Sequence, residues 1–356
     1  MTAVAGERPA ASHWSRACCE QIAAPDPRVD RAAFVDVVGE ALGRSSYDVL
    51  LPGSDAALLA ISEHRSRLGG DSAGLPDHEV VRRCLNKLDV LDAAPGVGLD
   101  APETECCESA YEAASTARRI GYPVLVKPWT SVVPEDGGIR QRASRLVHDP
   151  AELSQAVNDF GMPLLVQRRV VGAVHSLAGV RAGGVTLALA FSRYRRTWPP
   201  DAGNVSCSDT LETPTELRRQ VEGLLDELGW EGIFEVELIR GRDGRFTLID
   251  LNPRIYGSLE LAIRAGARLP STWSDWLLGK PVEPVEARAG VRYRWEDAEA
   301  RNVLHLLGAG RIRDAAAIMR PRAGTAHAYF RLGDPAPLVA RAAGMLRRSA
   351  RRSKAR

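Results

Sequence analysis

The sequence predicts an α/β (α+β) protein, and three observations carry that prediction. Tyr47-Asp48-Val49-Leu50-Leu51 reads as a short buried strand, and Pro52-Gly53-Ser54-Asp55 leads it into the apolar run Ala56 to Ile61, which makes a βα unit. The hydrophobic period then switches from helical to strand-like at Pro123-Val124-Leu125-Val126-Lys127-Pro128. Further on, two turn signals, Gly183-Gly184 and Gly241-Arg242-Asp243-Gly244, each separate a pair of extended segments.

The elements follow in order. Arg31 to Leu42 places Phe34, Val37, Val38 and Leu42 at helical spacing and supplies a helix ahead of the βα unit, whose own helix is capped by Ser54 or Asp55. Together they fit part of a parallel sheet flanked by helices. Val80 to Ala93 is a further helical pattern, broken by Pro95-Gly96-Val97-Gly98, and Glu108 to Ile120 is another that stops before Gly121. Pro123 to Pro128 and Met162 to Gln167 are strands on either side of the helix Pro150 to Phe160. Ser176 to Phe191 folds into a hairpin at Gly183-Gly184, the helix Pro214 to Leu228 follows, and Ile233 to Arg240 pairs with Arg245 to Leu251.

At 356 residues, 45% hydrophobic and 26% charged, the chain has an ordinary globular composition with room for two or three structural units. Its formal charge of +2 gives no electrostatic reason to expect nucleic acid or an acidic membrane. The exception is Arg341 to Arg356, which is polybasic and has no acid; it reads as a solvated, frayed end or as a contact for RNA, anionic lipid or a partner. The cysteines fall as Cys18-Cys19, Cys84, Cys106-Cys107 and Cys207, which matches neither zinc spacing nor a disulfide framework and points to a reducing compartment. Without a signal-like start or a membrane-length apolar run, the sequence reads as cytoplasmic.

The second hairpin carries the chemistry. If Arg240 pairs with Arg245, Phe234, Val236 and Leu238 share one face with Ile249 and Leu251, and Glu235, Glu237, Asp250 and Asn252 share the other. Glu235 is then opposite Asp250, with Glu237 diagonal to Asp250 at about 7–8 Å. Opposed like charges weaken a strand pair unless a cation lies between them, and an all-oxygen set suits Mg²⁺. Arg254, two residues past Asn252, has the planar fork that holds phosphate. The same pattern also fits a hairpin whose acidic face simply points to water.

Glu237 together with Ile249-Asp250-Leu251-Asn252-Pro253-Arg254 and Tyr256-Gly257-Ser258-Leu259 resembles the metal-binding signature of the ATP-grasp superfamily, which includes D-alanine:D-alanine ligase, biotin carboxylase and carbamoyl phosphate synthetase. The resemblance implies an ATP-grasp fold and Mg²⁺, with Mn²⁺ as its substitute, held on ATP by Glu237, Asp250 and Asn252. It makes Arg254 the arginine on the transferred phosphate or the substrate carboxylate. Lys87, at the start of the helix leading to Gly98-Leu99-Asp100-Ala101-Pro102, looks like the first ATP lysine, and Lys127 looks like the second, reaching the α- and β-phosphates. Leu165-Val166-Gln167-Arg168-Arg169-Val170-Val171-Gly172 resembles the hinge between two lobes, where the backbone reads adenine. Gln167, Arg168 and Val170 are its contact positions, with His175 near the ribose. Arg168 departs from the family, which usually has glutamate there. Trp129 to Arg140, with Gly137-Gly138, is expected to cover the phosphates. Tyr194-Arg195-Arg196 and Gly203-Asn204-Val205-Ser206 lie where relatives bind the second substrate or its phosphate.

On this resemblance the chain divides into a shortened Rossmann-like preATP-grasp domain (1–83), two ATP-grasp lobes (84–165 and 166–290) and a C-terminal helical extension with a basic tail (291–356). Met1 to Glu7 resembles the second strand of the N-terminal sheet of relatives, so either the start codon is placed too late or the sheet is trimmed; a trimmed sheet would have an exposed edge that a homodimer would cover. The implied reaction joins a carboxylate to an amine, an amino acid or small peptide by family analogy, through an acyl phosphate. The alternatives are a carboxylase that uses bicarbonate and a catalytically silent ATP-binding or partner-binding protein.

Overall fold

Two mainly antiparallel sheets frame the chain in the computed structural model, which describes residues 1–6, 11–68, 74–129, 133–135, 138–140, 144–200 and 203–344. The smaller sheet has four strands in the order Thr104–Cys107, Leu164–Arg168, Val124–Pro128, Arg145–Val147. Helices Ala110–Ile120 and Pro150–Phe160 pack on it, and Ala113, Ala117, Ile120, Leu153 and Ala156 meet Val124, Val126, Leu164 and Val166 in one apolar cluster. Ser109 and Asp149 cap these helices by accepting hydrogen bonds from Glu112 N and Glu152 N.

The larger sheet runs Phe246–Asn252, Gly232–Arg240, Ala173–Ala182, Val185–Trp198, Asn204–Leu211, Arg292–Arg294, Ala326–His327, with Val285–Glu286 added alongside Val185–Trp198. Gly183 and Gly184 take φ of 56° and 74° in the predicted hairpin turn. Helices His78–Leu85, Lys87–Ala93 and Thr215–Leu228 cover one face of the sheet, where Leu217, Val221, Leu224 and Leu228 pack against Phe234, Val236, Leu238, Leu248 and Leu251. Helices Leu259–Ala265 and Leu269–Leu277 cover the other, bringing Ala262, Leu269 and Trp273 onto Ala178, Val180 and Ile233.

Three expectations are corrected. Tyr47 to Leu51 forms no strand; the N-terminal parallel pair is Thr2–Ala5 with Glu20–Ala23. Tyr47 instead joins that pair through its side chain, donating to Thr2 Oγ1 at 2.9 Å and Glu20 Oε2 at 3.1 Å. The Val80 to Ala93 pattern is two helices parted at Asn86, whose extended backbone ends the first and whose Oδ1 accepts from Leu88 N at 3.0 Å to cap the second. The acidic hairpin has a different register: Arg240 pairs with Phe246 and Leu238 with Leu248, then a bulge intervenes, so that Glu237 faces Asp250 and Glu235 faces Asn252. The bulge adds Ile249 to one strand and reverses its parity. The turn is also one residue longer than that register assumes, which sets Leu248 opposite Leu238 in the core that the simple alternation gives to Ile249, and Ile249 is half-buried outside it.

The expected phosphate-covering segment lies outside the described residues apart from Trp129 and the short antiparallel pair Val133–Glu135 and Gly138–Arg140. The basic tail from 345 onward lies outside them too, as does Glu7. Among the described residues no helix is long and apolar enough to cross a membrane.

Candidate active site

Strand alternation turns Phe234, Val236 and Leu238 into the core and leaves Glu235 and Glu237 on the opposite face of the sheet. Because the bulge sets Asp250 and Asn252 opposite them, both strands present oxygen ligands to the same side. The register extends this polar row across the sheet, from Asp250 through Glu237, Ser176 and Ser192 to Thr210. Ser176 and Ser192 share a hydrogen bond of 3.2 Å within it.

Two lysines from other elements converge on the row. The Asn86 cap places Lys87 at the first position of its helix, and its ammonium donates to both carboxylate oxygens of Asp250, at 2.7 and 2.8 Å. Lys127, at the end of a strand of the smaller sheet, is 6% exposed and donates to the carbonyl of Ile249 at 3.3 Å. The bulge is what leaves that carbonyl available. Burial, with Lys87 beside it, pulls the Lys127 ammonium down to about 8. Burial raises the Asp250 carboxyl, but Lys87 and Lys127 outweigh it and hold the group below its ordinary value.

Glu235 and Glu237 are pushed the other way. Burial, then the neighbouring Glu237 charge, raises Glu235 to about 8, even though Asn252 Nδ2 donates to it at 3.1 Å. Burial and Asp250 raise Glu237, against a 2.7 Å hydrogen bond from Tyr194 Oη. Buried carboxylates with raised values are short of positive charge, and the set Glu237, Asp250 and Asn252 offers only oxygen donors, which fits a hard divalent cation. Among the described residues no group of three His, Cys, Asp or Glu side chains is gathered at metal-holding distance; Lys87 is closed on Asp250 and Tyr194 on Glu237.

Arg254 is anchored on three sides. Its Nη2 donates to Asn252 Oδ1 at 3.0 Å, its Nη1 to Ile255 O at 2.9 Å, and its Nε to Asp55 Oδ1. Asp55 begins the helix Asp55–Glu63 and is 5% exposed. Ser54 takes the capping role by accepting from Ala57 N at 3.2 Å, which frees Asp55 for Arg254. In the sequence Asp55 reads only as a cap and Tyr194 only as part of a substrate segment. The signal for Asp55 was two capping candidates side by side where one suffices.

The hinge positions lie apart from this polar row. Gln167 is buried and donates to Thr104 Oγ1 at 2.9 Å, while Arg168 N donates to Glu103 O at 2.8 Å. The Arg168 guanidinium is occupied by Glu103 and by the Ile120 carbonyl, and Glu103 is shared with Arg119. Val170 is half-buried. Gly172 presses on the next hairpin so closely that a Cβ there would collide with the Arg240 carbonyl. His175 is 4% exposed, stacks on Phe191 with centroids 5.3 Å apart, meets Phe246 edge-on, and has Nδ1 at 2.8 Å from Ala173 O. Burial lowers its imidazole below the ordinary value.

Two sheets, a carboxylate-amide hairpin and two converging lysines are the arrangement expected of the ATP-grasp superfamily, which this chain resembles in sequence and in fold. Residues 163–299 match the family described as ATP-grasp in the biosynthetic pathway with Ter operon. The chain is 24% identical over 278 residues to a carbamoyl phosphate synthase large chain of Thermus thermophilus, covering 72% of this chain and 25% of that one. The corresponding chain of Xanthomonas campestris is 29% identical over 224 residues, 58% of this chain and 19% of its own. The chain thus spans about a quarter or less of these curated relatives. Among solved structures, L-amino acid ligase from Bacillus licheniformis superposes with a TM-score of 0.58 at 19% identity, over 75% of this chain and 64% of that one. The carboxyaminoimidazole ribonucleotide synthase of Aspergillus clavatus, complexed with ATP, superposes with 0.60 at 15% identity, over 80% and 72%.

Proposed function

We propose that the chain is an ATP-dependent carboxylate-amine ligase, which forms an amide or peptide bond through an acyl phosphate and releases ADP and phosphate. The observation that carries this is the placement of Glu237 opposite Asp250 with Lys87 and Lys127 converging on them from other elements. In this reading the chain keeps the domain divisions drawn from its sequence, and its substrates are small molecules, an amino acid or small peptide by analogy.

A carboxylate is a poor acyl donor until an oxygen accepts the γ-phosphoryl group; an amine then attacks the acyl carbon, phosphate leaves, and the amine nitrogen loses a proton. Mg²⁺, or Mn²⁺ in its place, neutralises phosphate charge when bound to Glu237, Asp250 and Asn252. Lys87 and Lys127 supply positive charge to the phosphates, and Arg254, held by Asp55, presents its remaining surface to the transferred group or the substrate carboxylate. The backbone around Gln167, Arg168 and Val170 reads adenine, whereas His175, opposite Leu238 on the apolar face of the sheet and stacked on Phe191, faces away from the Glu237 side. No nucleophilic serine or cysteine is required.

The test is incubation with ATP, Mg²⁺ and panels of carboxylates and amines, with hydroxylamine as trap. Hydroxamate with equimolar ADP supports ligation. ADP that depends on bicarbonate alone replaces ligation with carboxylation, and no ADP under any combination leaves an ATP-binding or partner-binding protein.

A further inference from the structure

The C-terminal helices carry a surface that the proposed reaction does not use. Residues 300–344 follow the segment matched to the family. Helix Glu296–Gly308 and helix Ile312–Met319 pack together as a hairpin joined by Ala309, Gly310 and Arg311. The second helix buries Ala315 and Ile318 against the protein, and along the border of that buried stripe it presents Ile312 and Met319, seven residues apart and each 67% exposed. On the first helix Leu304 is 69% exposed and Leu307 46%. Four large apolar side chains left in water on one hairpin make a surface still to be covered.

The charge around this patch has one sign. Residues 300–322 contain Arg301, Arg311, Arg313, Arg320 and Arg322, all exposed, against a single acid, Asp314, which pairs with Arg311 at 2.7 Å. A second copy of the same face would bring these arginines against each other, which opposes self-association. A nucleic acid would meet the charge but leave the apolar side chains in water. We propose that this hairpin docks on an anionic lipid surface, with Leu304, Leu307, Ile312 and Met319 entering the headgroup boundary and the arginines resting on lipid phosphates. The chain's net charge of +2 conceals the asymmetry, because acids elsewhere balance it.

The full-length chain is tested by co-sedimentation with phosphatidylcholine vesicles, with and without phosphatidylglycerol. Sedimentation is expected only with the anionic vesicles, and raising the salt should release the protein. Leu304→Ser with Ile312→Ser should abolish the binding while thermal unfolding stays unchanged, since both side chains are exposed. Arg313→Gln with Arg320→Gln should weaken binding and flatten its salt dependence. Binding that survives the serine substitutions would assign it to the basic tail alone and overturn the proposal. Absence of vesicle binding, or a dimer in solution that the serine substitutions dissociate, would overturn it as well. None of these outcomes depends on ligase activity, so the two proposals fail separately.

Discussion

Lys87 holds both carboxylate oxygens of Asp250, at 2.7 and 2.8 Å, across 163 residues of sequence. The pair is half-buried, with side-chain exposures of 12% and 30%, so each partner offsets charge that would be costly alone. Asp250→Asn leaves two ammonium groups without their carboxylate and removes an oxygen donor for the cation. It should reduce ADP release at least about 10²-fold. Turnover equal to the parent's would remove Asp250 from the site.

Lys127 titrates near 8 in the absence of ligand, low because burial and Lys87 disfavour its charge. Its ammonium is present below that pH and lost above it, so ATP affinity should fall as the pH rises from 7 to 9. Lys127→Met should bind ATP more weakly at pH 7 and lose this pH dependence. Isothermal titration of both proteins across the range checks the two statements together.

Glu235 gives a stability prediction of opposite origin. Its folded value of about 8 lies above the usual 4.5, so between those values the folded state holds a proton that the unfolded state has released. Stability contributed by that proton is complete below the unfolded value and is lost as the pH climbs toward 8, by up to about 1.4 kcal/mol per pH unit. Glu237, raised as well, acts in the same direction, whereas Lys127 reverses the slope above 8. Urea unfolding at pH 5.5 and 8 should show the decline, and Glu235→Gln should shrink it. Mg²⁺ with ATP should oppose it.

Asp55 and Arg254 form a pair in which the side chains are only 6% and 13% exposed. Asp55→Ala strands a buried guanidinium and should cost about 3 kcal/mol of stability. Combined with Arg254→Met, much of that cost should return, while activity stays lost. A double variant as unstable as the sum of the singles would mean the two residues are not coupled.

Arg168→Ala tests the hinge. The guanidinium is taken up by Glu103 and Ile120, and adenine recognition by backbone needs no particular side chain at this position. ATP affinity should therefore match the parent's in fluorescence titration. A large loss would give the Arg168 side chain a direct part in binding.

Much of this was legible in the sequence where local patterns decide the outcome. The helix Pro150–Phe160 begins and ends where Asp149 and Gly161 say it should, and the Gly183-Gly184 turn has the positive φ values that its residues permit. The acidic set was visible as a set. Its pairing was not, because the turn holds one residue more than its glycines suggest and a bulge adds a second shift midway. Tyr47 to Leu51 has strand-like composition, but its place beside the parallel pair is decided by Tyr47 hydrogen bonds to Thr2 and Glu20, 45 and 27 residues away. Asp55 and Arg254 are 199 residues apart, and no local pattern records that contact.

The extra residue at Ile249 also bears on how this hairpin tolerates change in its length. Deleting that one residue would leave Leu248 opposite Leu238 and Asp250 opposite Glu237 in plain alternation, removing the bulge while Leu248 stays in the core and Asp250 on the polar face. A two-residue deletion would go one further, shifting the rest of the strand by a single position and turning its ligands to the other face. The faces of the hairpin would thus survive loss of the bulge, but the Ile249 carbonyl on which the Lys127 ammonium rests would go with it, so the extra residue matters to the lysine more than to the carboxylates.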